Sequence, residues 1–174
     1  MERIKQPDHI KIRISGLSSG LHEYHFSPSA AELGLGSNFG KLVEVDVAID
    51  KTPRQVLLKS NIRTSGIFNC DRCIENFERP ISTAFTMLYI FDEKERSGAP
   101  DEEVQVIAPD TVYIDISEDV RQMITLSVPL KLLCREDCRG LCPRCGKNRN
   151  IEQCDCRDDQ IDPRWQGLEG LITN

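Results

Sequence analysis

The sequence has no apolar run long enough to cross a membrane, and its first ten residues, MERIKQPDHI, are charged and lack the apolar h-region of a secretory leader. We therefore expect a cytoplasmic chain. An excess of basic charge is missing too. The 22 Lys and Arg stand against 28 Asp and Glu, for a formal net charge of −6, which argues against a protein that coats nucleic acid by general electrostatics. Catalytic signatures are absent: the chain contains no G-x-S-x-G, no Walker loop and no glycine-rich dinucleotide fingerprint. Histidine is scarce. His9, His22 and His25 all fall in the N-terminal strands, where a strand-surface role is expected. A zinc deaminase needs H-x-E upstream of its cysteine pair, and His22 is followed at once by Glu23. Catalytic zinc keeps one position open and recruits His or a carboxylate. No catalytic constellation can be assembled from these residues, and a non-enzymatic protein is expected.

What the sequence does have is cysteine. Eight are present: Cys70 and Cys73 in C-D-R-C, then Cys134, Cys138, Cys142, Cys145, Cys154 and Cys156 within CREDCRGLCPRCGKNRNIEQCDC. A reducing cytosol favours metal thiolates over disulfides. Tetrahedral structural zinc takes four ligands, so eight thiols divide into two closed sites with none left over. The most specific element is C-P-R-C-G, in which two thiolates three positions apart grip one ion and Gly146 permits the tight turn. With Cys154 and Cys156 it closes a small loop. The first pair, at a bend between two long strands, has Cys134 and Cys138 as natural partners, although spacing leaves two other exchanges of pairs open. Cys138-x3-Cys142-x2-Cys145 has the spacing of a radical-SAM iron–sulfur triad, but the chain has no room for the barrel such enzymes need. A redox dithiol lacks its βαβ context.

Most of the remaining chain reads as strand. IKIRI (10–14) and HEYHF (22–26) alternate, and KLVEVDVAID places Val43, Val45, Val47 and Ile49 on one face. After a turn at Lys51-Thr52-Pro53, RQVLLKSNIRTSGIF keeps Val56, Leu58, Ile62 and Thr64 in register. FERPISTAFTMLYIF then alternates through Phe77, Ile81, Thr83, Phe85, Met87 and Tyr89. SPSAAELGLG allows one helical turn, and DEKERSGAPDEE (92–103) reads as a mobile loop. Two short strands, VQVIA and TVYID, follow. The period then becomes helical over Ile116, Val120, Met123, Ile124 and Ser127, from a capping-box-like start at Asp115 to a stop at Pro129. The expected fold class is α+β: mainly an antiparallel β meander with one helix in the C-terminal half and cysteine-rich zinc-binding segments. Residues 1–133 form the β-rich domain, and 134–174 the cysteine-rich segment and tail, packed on the same domain.

Charge is uneven along the chain. Between Lys131 and Asn150 lie Lys131, Arg135, Arg139, Arg144, Lys147 and Arg149, against only Glu136 and Asp137. These offset the zinc thiolates or contact RNA. Two Zn(Cys)4 sites at −2 each would take the chain to roughly −10, so a phosphate contact has to be local. Arg139, Arg144, Lys147 and Arg149 flank the cysteines and are the candidate RNA-binding residues.

C-D-R-C between long strands, then IDISEDVRQMITLSVPLKLLC, CRGLCPRCGKN and IDPRW, resemble the YceD family, the large ribosomal RNA subunit accumulation proteins, from about residue 40 to the end. The resemblance implies a bacterial factor in the synthesis, processing or stability of 23S ribosomal RNA, with no known reaction attached. The expected partner is 23S pre-rRNA or a large-subunit assembly intermediate, bound directly or through a protein, with no small-molecule substrate. The alternatives are a zinc-thiolate redox sensor and a zinc-ribbon transcription regulator.

Overall fold

The computed structural model describes residues 10–95 and 104–156. Alternating apolar residues dictate its main sheet, which runs in the order β2 (Gly20–Phe26), β3 (Glu44–Lys51), β4 (Gln55–Asn69), β5 (Asn76–Ile90) and β6 (Val104–Val106). β2 and β3 pair antiparallel, with Tyr24 opposite Val47, and β3 and β4 do the same, with Val45 opposite Ile62 and Ile49 opposite Leu58. This register puts Val45, Val47 and Ile49 on one side with Val56, Leu58 and Ile62, all buried. Each such side chain contributes about 1.5–3 kcal/mol when removed from water. Ser60 shares that face, and its buried hydroxyl has no partner among the described residues.

Two pairings depart from a simple meander. The short β6 lies parallel to β5, with Leu88 beside Val104. IKIRI pairs with no neighbour in sequence: β1 (Lys11–Arg13) joins β7 (Tyr113–Asp115) in a separate two-stranded sheet, with Ile12 opposite Ile114. Ile10, Ile12 and Ile14 carry this ribbon into the core. The helix α1 (Ser117–Ser127) packs against β5 and, with Ile116 just before it, places Val120 and Ile124 in the core. Its start differs from a capping box. Ile116 occupies the cap position, the Ser117 N–H donates to the Asp115 carboxylate at 3.0 Å, and the Ser117 hydroxyl accepts from the Ile10 N–H at 3.1 Å. Its end obeys the proline: Val128 is extended at φ −71 and ψ 119, because the Pro129 ring disfavours helical backbone before it. A true capping box sits elsewhere, in the turn after Ser29. There Ser29 N–H donates to Glu32 Oε2 at 2.7 Å, and Glu32 N–H donates to Ser29 Oγ at 3.2 Å.

The chain divides into two compact units. One comprises Met1–Phe68 and Asn76–Leu132, and the other Asn69–Glu75 and Leu133–Asn174. All eight cysteines belong to the second. The start of the expected loop forms a short 3-10 turn, Glu93–Glu95; the rest of that loop, His9 and the IDPRW tail lie outside the described residues.

Candidate metal centres

The first cysteine pair lies in the connection from β4 to β5. Cys70 N–H donates to the Glu75 carbonyl at 2.9 Å, and Ile74 N–H donates to the Cys70 carbonyl at 2.9 Å. That closes a tight knuckle only if the fifth residue turns left-handed, and Ile74 does so at φ 65. The C-P-R-C-G segment repeats the same bonds. Cys142 N–H donates to the Lys147 carbonyl at 2.8 Å and Gly146 N–H to the Cys142 carbonyl at 2.9 Å, with Gly146 at φ 74. Glycine adopts this conformation at no steric cost, whereas a β-branched residue is strained there.

The structure gathers the sulfurs into two groups. Cys70, Cys73, Cys134 and Cys138 form one, and Cys142, Cys145, Cys154 and Cys156 the other, with every sulfur within 4.8 Å of the rest of its group. The Cys70–Cys138 and Cys73–Cys134 sulfurs are 3.7 Å apart. A disulfide needs about 2.05 Å. A tetrahedral metal–thiolate site with bonds of about 2.3 Å has sulfur–sulfur edges of about 3.8 Å. Both tetrads are therefore compatible with structural metal binding.

Electrostatics agrees with that fit. In the first tetrad, burial pushes the Cys70 thiol up, but the N–H groups of Cys134, Cys73 and Arg72 outweigh it and leave it at about 6. Cys138 is also lowered: burial opposes, and the Asn150 amide and the Gly140 N–H prevail. Burial and then the sulfurs of Cys73, Cys70 and Cys138 push Cys134 up to about 12. For Cys73 the Glu75 N–H pulls down, yet burial and the Cys70 and Cys138 sulfurs raise it. Two thiols are thus shifted toward the thiolate and two away from it, because adjacent sulfurs that all carry negative charge repel one another unless a cation lies between them. In the second tetrad the N–H groups of Cys145 and Arg144 lower Cys142 to about 6 against burial, and the Cys145 sulfur, followed by burial, lifts Cys156 to about 11.

Three supporting residues escape a search for ligands. The Arg72 guanidinium donates to the carbonyls of Cys138 at 2.8 Å and Glu136 at 3.3 Å, so an unassigned position within C-x2-C fixes the segment carrying Cys138. Asn150 donates from Nδ2 to the Cys138 sulfur at 3.3 Å and accepts the Arg139 N–H at Oδ1, 2.9 Å away. Gly140, at φ 71, lies so close to Arg72 that a Cβ there would stand 2.9 Å from the Arg72 carbonyl oxygen. Arg72, Asn150 and Gly140 carry no ligand chemistry, and only the contacts they make reveal them.

Of the four candidate RNA-binding residues, Arg139, Arg144 and Lys147 are exposed and Arg149 is half-buried. Lys147 Nζ lies 3.6 Å from Glu152. Arg139 and Arg149 share one cavity, and Arg149 N–H donates to the Gly140 carbonyl at 3.0 Å.

In the other unit, His25 Nδ1 lies 2.7 Å from Asp46 Oδ1, and Ser27 Oγ lies 3.1 Å from His25 Nε2. That is the connectivity of a hydrolase triad, but Asp46 also accepts from Arg63 at 2.7 Å. His25 and Asp46 both stand open to water, where such hydrogen bonds lose the low-dielectric setting that makes a triad effective. The arrangement ties β2, β3 and β4 together. His22 bonds the Ser18 carbonyl at 2.9 Å.

A family model described as large ribosomal RNA subunit accumulation protein YceD matches residues 58–172. An uncharacterized protein of Mycobacterium tuberculosis is 29% identical over 162 residues, covering 92% of this chain and 77% of that protein. An uncharacterized protein of Bacillus subtilis, YlbN, is 28% identical over 131 residues, covering 75% and 74%. The Arabidopsis thaliana protein named large ribosomal RNA subunit accumulation protein YCED homolog 1, chloroplastic, is 25% identical over 157 residues, covering 76% of this chain and 49% of that protein. No solved structure matches.

Proposed function

Because the chain belongs to the YceD family, we propose that it is a cytoplasmic, non-enzymatic ribosome-biogenesis factor that supports accumulation of 23S ribosomal RNA by binding the pre-rRNA or a large-subunit assembly intermediate. Its relatives named as large-subunit RNA accumulation proteins support the biological role. The mode of action follows from the second unit. Cys70, Cys73, Cys134 and Cys138 hold one Zn2+, and Cys142, Cys145, Cys154 and Cys156 a second. Zinc fits four thiolates with a tetrahedral edge of this size and supplies folding free energy where an apolar core is thin.

The observation that carries the proposal is the charge pattern on these loops. From Cys138 to Ile151 the chain has no carboxylate and four cations, Arg139, Arg144, Lys147 and Arg149. Metal-braced loops present them as a fixed array, so little side-chain and loop entropy is lost on binding. The rest of the chain is net acidic, which disfavours a phosphate contact outside this segment. The fourfold replacement of these residues by Ala should leave metal content intact and weaken binding to large-subunit RNA or precursor particles. The dependence of log affinity on log salt should flatten by about 3. If the variant binds and supports 23S RNA accumulation like the parent, the basic segment only balances thiolate charge.

A further inference from the structure

One cavity in the cysteine-rich unit is lined by Arg139, Arg149, Glu152, Gln153, Cys154 and Asp155 and has a volume of about 540 Å³. That is within the roughly 300–1,000 Å³ of small-ligand sites and large enough for one nucleotide. Its lining is mixed in charge. Two guanidinium groups suit a phosphate, but two carboxylates oppose one, so a bare anion is a poor occupant. A ligand that offers acceptors on one edge and donors on the next complements both signs of charge in the lining.

Among the RNA bases guanine alone has that edge. Its O6 and N7 accept, and a guanidinium donates to both at once. Its N1–H and N2–H2 donate side by side, which a carboxylate can accept with its two oxygens. Adenine places the acceptor N1 where a carboxylate would meet it, and uracil offers a single N–H between two carbonyls. Cytosine offers its N4 amino group to a carboxylate but puts N3 and O2 beside it. In a duplex this edge is hidden, so the base must come from a loop, a bulge or an end.

The cavity is also built on a braced backbone. Leu141 and Asn148 form an antiparallel bridge, Arg149 N–H donates to the Gly140 carbonyl at 3.0 Å, and Arg139 N–H donates to Asn150 Oδ1 at 2.9 Å. Arg139 and Arg149 therefore leave the two sides of one small bridged loop. Glu152 N–H donates to the Asn148 carbonyl at 2.8 Å, and Lys147 stands 3.6 Å from the Glu152 carboxylate. These bonds fix the main chain from which the donors and one acceptor project, which is the preorganisation a selective site requires.

We propose that this cavity binds one unpaired guanine nucleotide of RNA, with Arg139 and Arg149 on the O6/N7 edge or the adjoining phosphate and Glu152 and Asp155 on the N1–H/N2–H2 edge. The inference rests on the reading that the basic segment contacts RNA directly, and it adds a base preference that a phosphate-only contact lacks.

The test uses the full-length, metal-loaded chain and fluorescein-labelled oligouridine octamers carrying one central guanine, inosine, adenine or cytosine, followed by anisotropy. The guanine octamer should bind about tenfold more tightly than the adenine or cytosine octamers, with inosine, which lacks the N2 amino group, in between. The double variant Glu152→Gln with Asp155→Asn should lose that preference while keeping its metal, and should bind the adenine octamer at least as tightly as the parent, because two charges that repel phosphate are gone. Arg139→Ala with Arg149→Ala should weaken every octamer. Equal affinity for all four would overturn the guanine site and leave direct RNA contact standing. No binding of any octamer would overturn both.

Discussion

The C-D-R-C and C-P-R-C-G knuckles bend their backbones alike, yet they meet partners at different distances along the chain. Cys73 faces Cys134, 61 residues away, and Cys70 faces Cys138, 68 away. Cys142, Cys145, Cys154 and Cys156 all lie within one run of fifteen residues. Closing the longer loop restricts the unfolded chain by about 1.7 kcal/mol more, taking a separation of 61 against the 9 between Cys145 and Cys154. Exposure differs as well: three cysteines of the first tetrad are buried, against Cys142 alone in the second. The same local motif serves in one place as a long-range clamp and in the other as the brace of a small loop. What a cysteine pair does for a fold is set by where its partners come from.

Loss of a ligand separates the two most widely. Cys70→Ser or Cys73→Ser should lower the melting temperature on the order of 10 °C, and Cys154→Ser by a few degrees, since structural metal supplies several kcal/mol and only the first tetrad joins distant segments. Calorimetry on the metal-loaded variants checks the order. A larger drop for Cys154→Ser would invert the ranking.

Acid and chelator should act in sequence. Cys70 and Cys142 are depressed to about 6 from an ordinary 9. The stability they contribute is complete above 9 and is lost as pH falls through 6, so protons compete with metal at both sites. In the metal-free fold at pH 7, Cys73 and Cys134 keep protons that metal must displace. Affinity at the first tetrad should therefore rise by at least two log units per pH unit near neutrality. A colorimetric chelator should strip the second tetrad first, because Cys145 is exposed. A single kinetic phase of metal release would contradict that order.

Smaller effects come from the knuckle backbones. Gly140→Ala meets both a left-handed φ and the Arg72 carbonyl, and should cost about 2 kcal/mol. Gly146→Ala meets only the φ, with open space around it, and should cost about 1 kcal/mol. Ile74→Gly should change sign and stabilise by about 0.5 kcal/mol, the relieved strain exceeding the entropy that glycine loses. Denaturant titration of the three variants orders them.

The alternation of Val45, Val47, Ile49, Val56, Leu58 and Ile62 made the central strands and their inward face legible. It left the partner of IKIRI undetermined, because a period of two fixes a face and says nothing of which strand lies alongside. β1 therefore found β7, about a hundred residues on, through Ile12 and Ile114. The helix was readable from its period and from Pro129. Its cap was not, since Ser117 answers to Ile10 across the fold. Among the site residues, cysteines advertise themselves by type. Arg72, Gly140 and Asn150 act through hydrogen bonds and close approach to backbone that no spacing encodes.

Metal content per chain is the most direct measurement. Native mass spectrometry with elemental analysis, on protein purified without oxygen or chelator, should give a colourless chain carrying two zinc ions, one for each tetrad. A coloured protein containing iron, or one zinc or fewer per chain, would contradict the pair of zinc-thiolate centres on which the proposed RNA-binding loops depend.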